Sequence, residues 1–375
     1  MKMLRNLLTI LGCLILTVGC WDQHLMKDAT LIQATSYDLT REGKLLLGTS
    51  IPIIGQASSE SGQAVTRSEV LFTIANTPRE GNIKIDQKVP GTLDPSKNIL
   101  LVFGEPFARK GIYPSLDAIY RQSRNSLSAK LAVVEGNAIE ILRLQPEDEP
   151  NISQHLLSLL QSAEENSNIP EENIQTLASE MLDPGEDIVL PYLKVNKNEK
   201  TAEIAGLALL NEEKFSGSHL SIQESILFLL LEEKKGKYAQ FTKRVSKNQK
   251  PDMNNFITIN VKNMKRKLKV SVNRNGDVVV NLNLRLKVFV TEYPKGDVDK
   301  EIDKLNKKLS RSFSKDATQV ISKLQKANCD ALGIGRHLIA FYPNTWKEKD
   351  KKEYLRNVKF KTTVDVEIVQ VGIAE

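Results

Sequence analysis

The feature that most constrains this chain is a cysteine near its front. Cys20 closes the segment Leu16-Thr17-Val18-Gly19-Cys20, directly behind an apolar run from Leu7 to Val18. Lys2 and Arg5 precede that run. At about a dozen residues it is too short to span a bilayer as a helix. A basic start, a short apolar stretch and a small residue before the cut read as a secretory leader. A leader ending in Gly-Cys reads more narrowly as a lipoprotein leader, residues 1–19, cut before Cys20. The Cys20 thiol then carries a diacylglyceryl group, and its new amine is acylated or free. The competing readings are a plain leader cut nearby and an uncleaved N-terminal anchor.

This reading limits how the rest can be held together. The chain has three cysteines. Cys13 leaves with the leader and Cys20 takes lipid, so Cys329 stands alone and no intrachain disulfide can form. The body must be stable from packed cores, and Cys329 reads as a small buried residue rather than a reactive thiol. At 375 residues the chain suggests two or three domains. The most apolar remaining run, Ile226 to Leu231, has the length of a helix core segment, not of a membrane span. Charge is uneven. Residues 201–375 carry 33 Lys+Arg against 21 Asp+Glu, while residues 1–200 carry 19 against 25. A basic half on a tethered body points to an anionic membrane or an acidic partner, not to nucleic acid.

Hydropathy patterning predicts a mixed α/β first half. Ala29 to Ile54 reads as a hairpin, with Thr30–Ala34 and Lys44–Leu47 flanking an Arg41-Glu42-Gly43 turn. Ser68–Ala75 suggests a helix. Asn98–Phe103 and Lys130–Val134 read as buried strands, with a helix from Pro114 to about Gln122 between them. Asn151–Ser162 and Glu171–Met181 read as helices. Ile188–Val195 and Ala202–Leu210 read as strands around a polar turn, and a domain boundary is placed at about 195–202. Ser221–Leu231 is helical. Phe256–Val272 and Asp277–Val290 form a long hairpin around Asn273-Arg274-Asn275-Gly276, since Asn-Gly between alternating runs is a strong turn signal. A long amphipathic helix follows, carrying Ile302, Leu305, Leu309, Phe313, Val320, Leu324 and Ala327 on one face. A second helix is expected from about Asn344 to Asn357, then a closing strand, Lys361–Ile368.

Motifs for catalysis or metal binding are wanting. His24, His155, His219 and His337 have no partners at zinc-ligand spacing. No Gly-x-Ser-x-Gly elbow or P-loop is present. Gly333-Ile334-Gly335 begins like a dinucleotide loop, but Leu338 stands where the third Gly belongs, so a helix-ending turn is the better reading. Glu212-Glu213 and Glu232-Glu233 read as solvated faces. One basic cluster stands out: Lys262, Lys265, Arg266, Lys267 and Lys269. On a strand, Lys265, Lys267 and Lys269 share one face and Leu268 and Val270 the other. The cluster is read as a membrane or partner patch, a solvated strand face, or an edge strand blunted by lysine.

Several of these residues carry a resemblance. Cys20-Trp21-Asp22 after the leader is similar to the Cys-Trp-Asp start of the Ger(x)C proteins, the C subunits of germinant receptors in spore-forming Firmicutes. Ala205-Gly206-Leu207-Ala208-Leu209-Leu210 resembles the family's Ala-Gly-x-Ala-Leu-Phe strand. Asn328 to Leu338 resembles its Asp-x-Leu-Gly-Ile-Gly block, followed at the usual distance by Tyr342-Pro343, Trp346 and Val364-Asp365-Val366. Where the family continues with Arg-Arg-Glu, this chain has Gln23-His24-Leu25.

The resemblance implies an α+β, three-domain body, here divided as 20–198 (N-terminal α/β domain), 199–254 (middle) and 255–375 (C-terminal hairpin, long helix and closing strand). It implies a lipid-anchored, non-catalytic receptor subunit without cofactors beyond the lipid on Cys20. That subunit sits on the outer face of the spore inner membrane, acts with integral-membrane A- and B-type subunits, and is needed for nutrient-triggered germination. The alternatives are a substrate-binding lipoprotein of a transport system and a cell-envelope hydrolase.

Overall fold

A computed structural model of the chain describes residues 29–54, 66–122, 124–146, 149–351 and 353–371. The leader and Cys20 lie outside them. After the short strand β1 (Ala29–Leu31) comes the hairpin of β2 (Ala34–Leu39) and β3 (Leu45–Ile54). Its turn places Gly43 at φ +78°. β4 (Thr66–Ala75) is a strand where the sequence suggested a helix over Ser68–Ala75. The run Val70-Leu71-Phe72-Thr73-Ile74 is rich in β-branched and aromatic side chains, which suit a pleated surface. β3 supplies a full antiparallel partner, from Leu45 opposite Ala75 to Ile54 opposite Thr66. Helix α1 (Pro78–Asp86) follows, capped by the Thr77 hydroxyl, which accepts the Glu80 N–H at 3.1 Å. β5 (Thr92–Asp94) then pairs in parallel with β1. Thr30 and Leu31 thus leave the hairpin that they were expected to join.

Next come β6 (Leu100–Gly104), α2 (Glu105–Ala108), α3 (Tyr113–Tyr120), β7 (Lys130–Val134), α4 (Ala138–Leu142), α5 (Ile152–Glu165) and α6 (Ile174–Met181). β8 (Val189–Asn196), β9 (Thr201–Asn211) and β10 (Lys214–Leu220) complete an eight-stranded sheet ordered β10-β9-β8-β7-β6-β2-β3-β4. Its central strands β2, β6, β7 and β8 run parallel. A parallel strand covered on both faces needs a continuous apolar run, and every residue of β6 is buried. Leu100, Val102, Ala132 and Val134 share one core with α4 and α5; Leu101, Phe103, Leu131 and Val133 share the other with α1, α3 and α6.

Helix α7 (Ile222–Leu231) is buried continuously from Ser225 to Leu231. A helix apolar all round must be enclosed, and its residues join the large core to a second sheet. That sheet is ordered β11 (Gln240–Arg244), β12 (Phe256–Val272), β13 (Val278–Glu292) and β14 (Lys359–Val371). The expected hairpin is β12–β13, with Val272 opposite Val278 and Gly276 at φ +78°. The long helix α8 (Ile302–Ala327) buries Leu305, Leu309, Phe313, Val320 and Leu324. β14 buries Val364, Val366 and Ile368 and runs parallel to β13. Its other edge is answered by α8: Asn306, Ser310 and Ser314 accept the N–H groups of Ile368, Val366 and Val364, each at 2.9 Å.

Between α8 and β14 lie α9 (Ile334–Phe341), which the sequence reading missed, and α10 (Pro343–Lys347). The helix expected over Asn344–Asn357 stops at Lys347 and resumes only as a 3₁₀ turn at Tyr354–Asn357. The intervening Glu348-Lys349-Asp350-Lys351 has no apolar stripe to pack. Residue 198 falls in the turn between β8 and β9, strands that pair within one sheet, and residue 255 lies just before β12. No helix among the described residues is long and apolar enough to cross a membrane.

Candidate functional site

The basic cluster lies on the distal part of β12. β11 pairs with β12 only from Phe256 to Asn260, so beyond Val261 β12 has β13 alone as a strand partner. Antiparallel pleating then sorts the side chains. Lys265, Lys267 and Lys269 are exposed on the sheet's outer face, while Met264, Leu268 and Val270 pack against the core. Lys265 stands opposite Arg285, Lys267 opposite Asn283 and Lys269 opposite Asn281 on β13, whose own β14 neighbours in the same rows are Asp365, Thr363 and Lys361. The outer face is therefore a polar grid. Among the described residues, Lys265, Lys267, Lys269, Arg285 and Lys361 form no ion pair, whereas Lys287 meets Glu367 at 4.0 Å.

Two members of the sequence cluster have other work. Arg266 points to the opposite face. Its guanidinium donates to the Leu231 carbonyl at 2.9 Å, capping the end of α7, and lies 3.6 Å from the Glu233 carboxylate. Its backbone N–H, on the open edge, donates to the same Glu233 at 3.1 Å. Lys262 sits in a bulge between Val261 and Asn263 and donates to Gln370 at 3.3 Å. Arg285 and Lys361, which complete the cationic face, are far away in sequence and could be found only through strand register.

The Asp-Ala-Leu-Gly-Ile-Gly block is a clamp. α8 ends on Asn328 at φ +48°, and Asn328 accepts the Leu355 N–H at 3.1 Å. Asp330 accepts the N–H groups of Ile334 at 3.0 Å and Gly335 at 2.7 Å, at the positive end of α9, and the Tyr354 hydroxyl. Burial pushes its carboxyl up to about 8 against these three donors. Asp330 N–H donates to Asp187 at 2.8 Å, and Asp187 also accepts from Glu212 N–H at 2.8 Å. Gly333 begins α9 at φ +67° instead of ending α8. At Gly335 a Cβ would stand 2.8 Å from the Gly185 Cα, so the two backbones touch only because neither carries a side chain. Arg336 closes the clamp on Asp183 at 2.8 Å and Glu186 at 2.7 Å. Cys329 is buried within it, and burial raises its thiol pKa.

Beside the clamp, Lys234 meets Glu172 at 2.8 Å, Glu180 at 3.4 Å and Glu232 at 3.9 Å. The Glu232 side chain, read from sequence as solvated, is only 8% exposed; one of its oxygens has no hydrogen-bond partner among the described residues. Burial pushes its carboxyl up to about 8. No group of three or more His, Cys, Asp or Glu among the described residues is arranged to hold a metal ion.

Two sheets sharing one core, clamped through an Asp-Ala-Leu-Gly-Ile-Gly block, define a mixed α+β, multi-domain protein. Residues 22–195 match a family model described as spore germination protein N-terminal domain, and residues 205–372 one described as spore germination B3/GerAC-like, C-terminal. The chain belongs to the Ger(x)C family of spore germination proteins. It is similar to spore germination protein GerQC of Bacillus cereus, 26% identical over 364 residues that cover 96% of each chain. Spore germination protein KC of Bacillus subtilis (strain 168) is 23% identical over 410 residues, covering 99% of this chain and 96% of that protein. The fold is similar to the crystal structure of the GerBC protein, with TM-score 0.53 at 15% identity, covering 89% of this chain and 96% of that one.

Proposed function

We propose that this chain is the lipid-anchored, non-catalytic C subunit of a nutrient germinant receptor. It is held on the outer face of the spore inner membrane by diacylglyceryl on Cys20 and acts with integral-membrane A- and B-type subunits. The observation that carries this reading is the pair of family matches, residues 22–195 and 205–372, the first beginning two residues after Cys20. The outer face of the second sheet supports it. Lys265, Lys267, Lys269, Arg285 and Lys361 are suited by charge to the anionic headgroups of the membrane to which a Cys20 lipid would tether the chain.

The test is Cys20→Ala in the native spore-former, followed by membrane fractionation and germination on a nutrient panel. Release from the membrane with weakened nutrient germination, while nutrient-independent germination persists, is the expected result. Retention with unchanged germination would show that Cys20 is not the anchor. Release without any germination defect would overturn the receptor role.

A further inference from the structure

A cleft of about 500 Å³ opens on the first domain between α1 and the segment that follows α3, with Thr92 and Leu93 of β5 in its lining. It continues into a second hollow of about 350 Å³ that shares Ile32, Arg79, Asn82 and Arg121 with it and reaches down to Tyr37 and Ile119. Such volumes fall in the usual range for small-molecule sites. The charges at the mouth are unbalanced. Arg79, Arg121 and Arg124 line the cleft together with Asp86. Asp86 accepts the Leu93 N–H at 2.7 Å but keeps its negative charge, so Arg79, Arg121 and Arg124 against Asp86 and Asp117 leave a net charge of +1. Arg121 is neutralised by Asp117 at 2.8 Å. Arg79 and Arg124 have no ion-pair or hydrogen-bond partner among the described residues. The inner hollow is different: of its polar lining, Asn98 and Thr35 bond to each other at 2.9 Å, Asn125 donates to the Ile119 carbonyl at 3.0 Å and Asp117 is paired with Arg121, while Ile32, Tyr37, Pro78, Pro95 and Ile119 offer hydrocarbon and ring surface.

We propose that this cleft is a binding site for a small carboxylate with an apolar body. The carboxylate would be held at the mouth by Arg79 and Arg124, whose planar forks match its geometry, and the body would enter the hollow toward Tyr37 and Ile119. The site lies apart from the cationic sheet and from the clamp. It does not depend on the receptor reading, and it can be tested on the purified full-length chain without spores.

The probes are acid and amide pairs of equal shape: butanoate and butanamide, 4-methylpentanoate and 4-methylpentanamide, phenylacetate and phenylacetamide. Inorganic phosphate serves as the control for charge alone. Binding is measured by calorimetry and by the rise in melting temperature, since a ligand taken only by the folded state stabilises it. The expected result is an acid that binds at least about tenfold tighter than its amide and tighter than phosphate, with Arg79→Gln and Arg124→Gln each costing about tenfold. Both arginines are exposed, so the variants should fold as the parent does. Overturning results would be no acid preferred over its amide, phosphate bound as well as every acid, or acid binding indifferent to both substitutions.

Discussion

The outer face of the second sheet and the clamp around Asp330 are built from the same chain by opposite rules. On the sheet, the pleat alone decides position: alternate residues face water, and lysine at every second place costs the fold little. In the clamp, each residue is fixed by contacts from elsewhere. Gly335 touches Gly185, Asp330 holds three donors, and Arg336 reaches back to Asp183. Positions held by one neighbour should be replaceable, and positions held by several should not.

The largest effect expected is at Gly335. A methyl there would lie 2.8 Å from both the Cα and the carbonyl oxygen of Gly185, atoms that cannot swing away. Gly335→Ala should cost about 3 kcal/mol, the upper range for forced overpacking, read as a lowered denaturant midpoint. An unchanged midpoint would mean that the two backbones are not in contact.

Smaller, and visible only against pH, is the effect of Glu232. Its carboxyl is raised from 4.5 to about 8 by burial. Between these values the folded chain keeps a proton that the unfolded chain has lost, so stability falls as pH rises. The contribution is fully present below about 4.5 and is lost as pH approaches 8. Stability should therefore fall measurably across that interval. Glu232→Gln should flatten the slope; a slope equally steep in the variant would assign the titration to other groups, Asp330 first.

The sheet face and the clamp show where sequence reading works and where it stops. The cationic alternation of Lys265, Lys267 and Lys269, the face of α8 and the Asn-Gly hairpin were legible because each depends on a short-range period and one buried side. The helix expected at Ser68–Ala75 failed for a related reason: a short apolar run does not choose between helix and strand until a partner such as β3 is known. The charges around Glu232 include Glu172, Glu180 and Glu186, far away in sequence. The clamp could be recognised as a motif, but the reason for its glycines could not. That reason is a contact between residues 185 and 335, which no local pattern contains. The cleft left no signal, since its arginines come from separate elements.

The sharpest form of the comparison is a pair of neighbours. Arg266 and Lys267 are adjacent cations on one strand. Arg266→Ala should cost about 1–2 kcal/mol, because it removes a bond to the last turn of α7 and leaves the Leu231 carbonyl and Glu233 without it. Lys267→Ala should change stability by less than about 0.5 kcal/mol, as is usual for exposed sites. On vesicles the order should reverse. Sedimentation of the full-length chain with phosphatidylcholine vesicles containing a third phosphatidylglycerol should weaken on replacing Lys267, and further on replacing Lys265 and Lys269 together with it. It should be largely unaffected by Arg266→Ala in the fraction that remains folded. Raising the salt should erase the difference, because exposed charges are screened within about 10 Å at 0.1 M ionic strength. If both substitutions cost the same stability, or if neither alters vesicle binding at low salt, the division of β12 into a structural face and an electrostatic face is wrong.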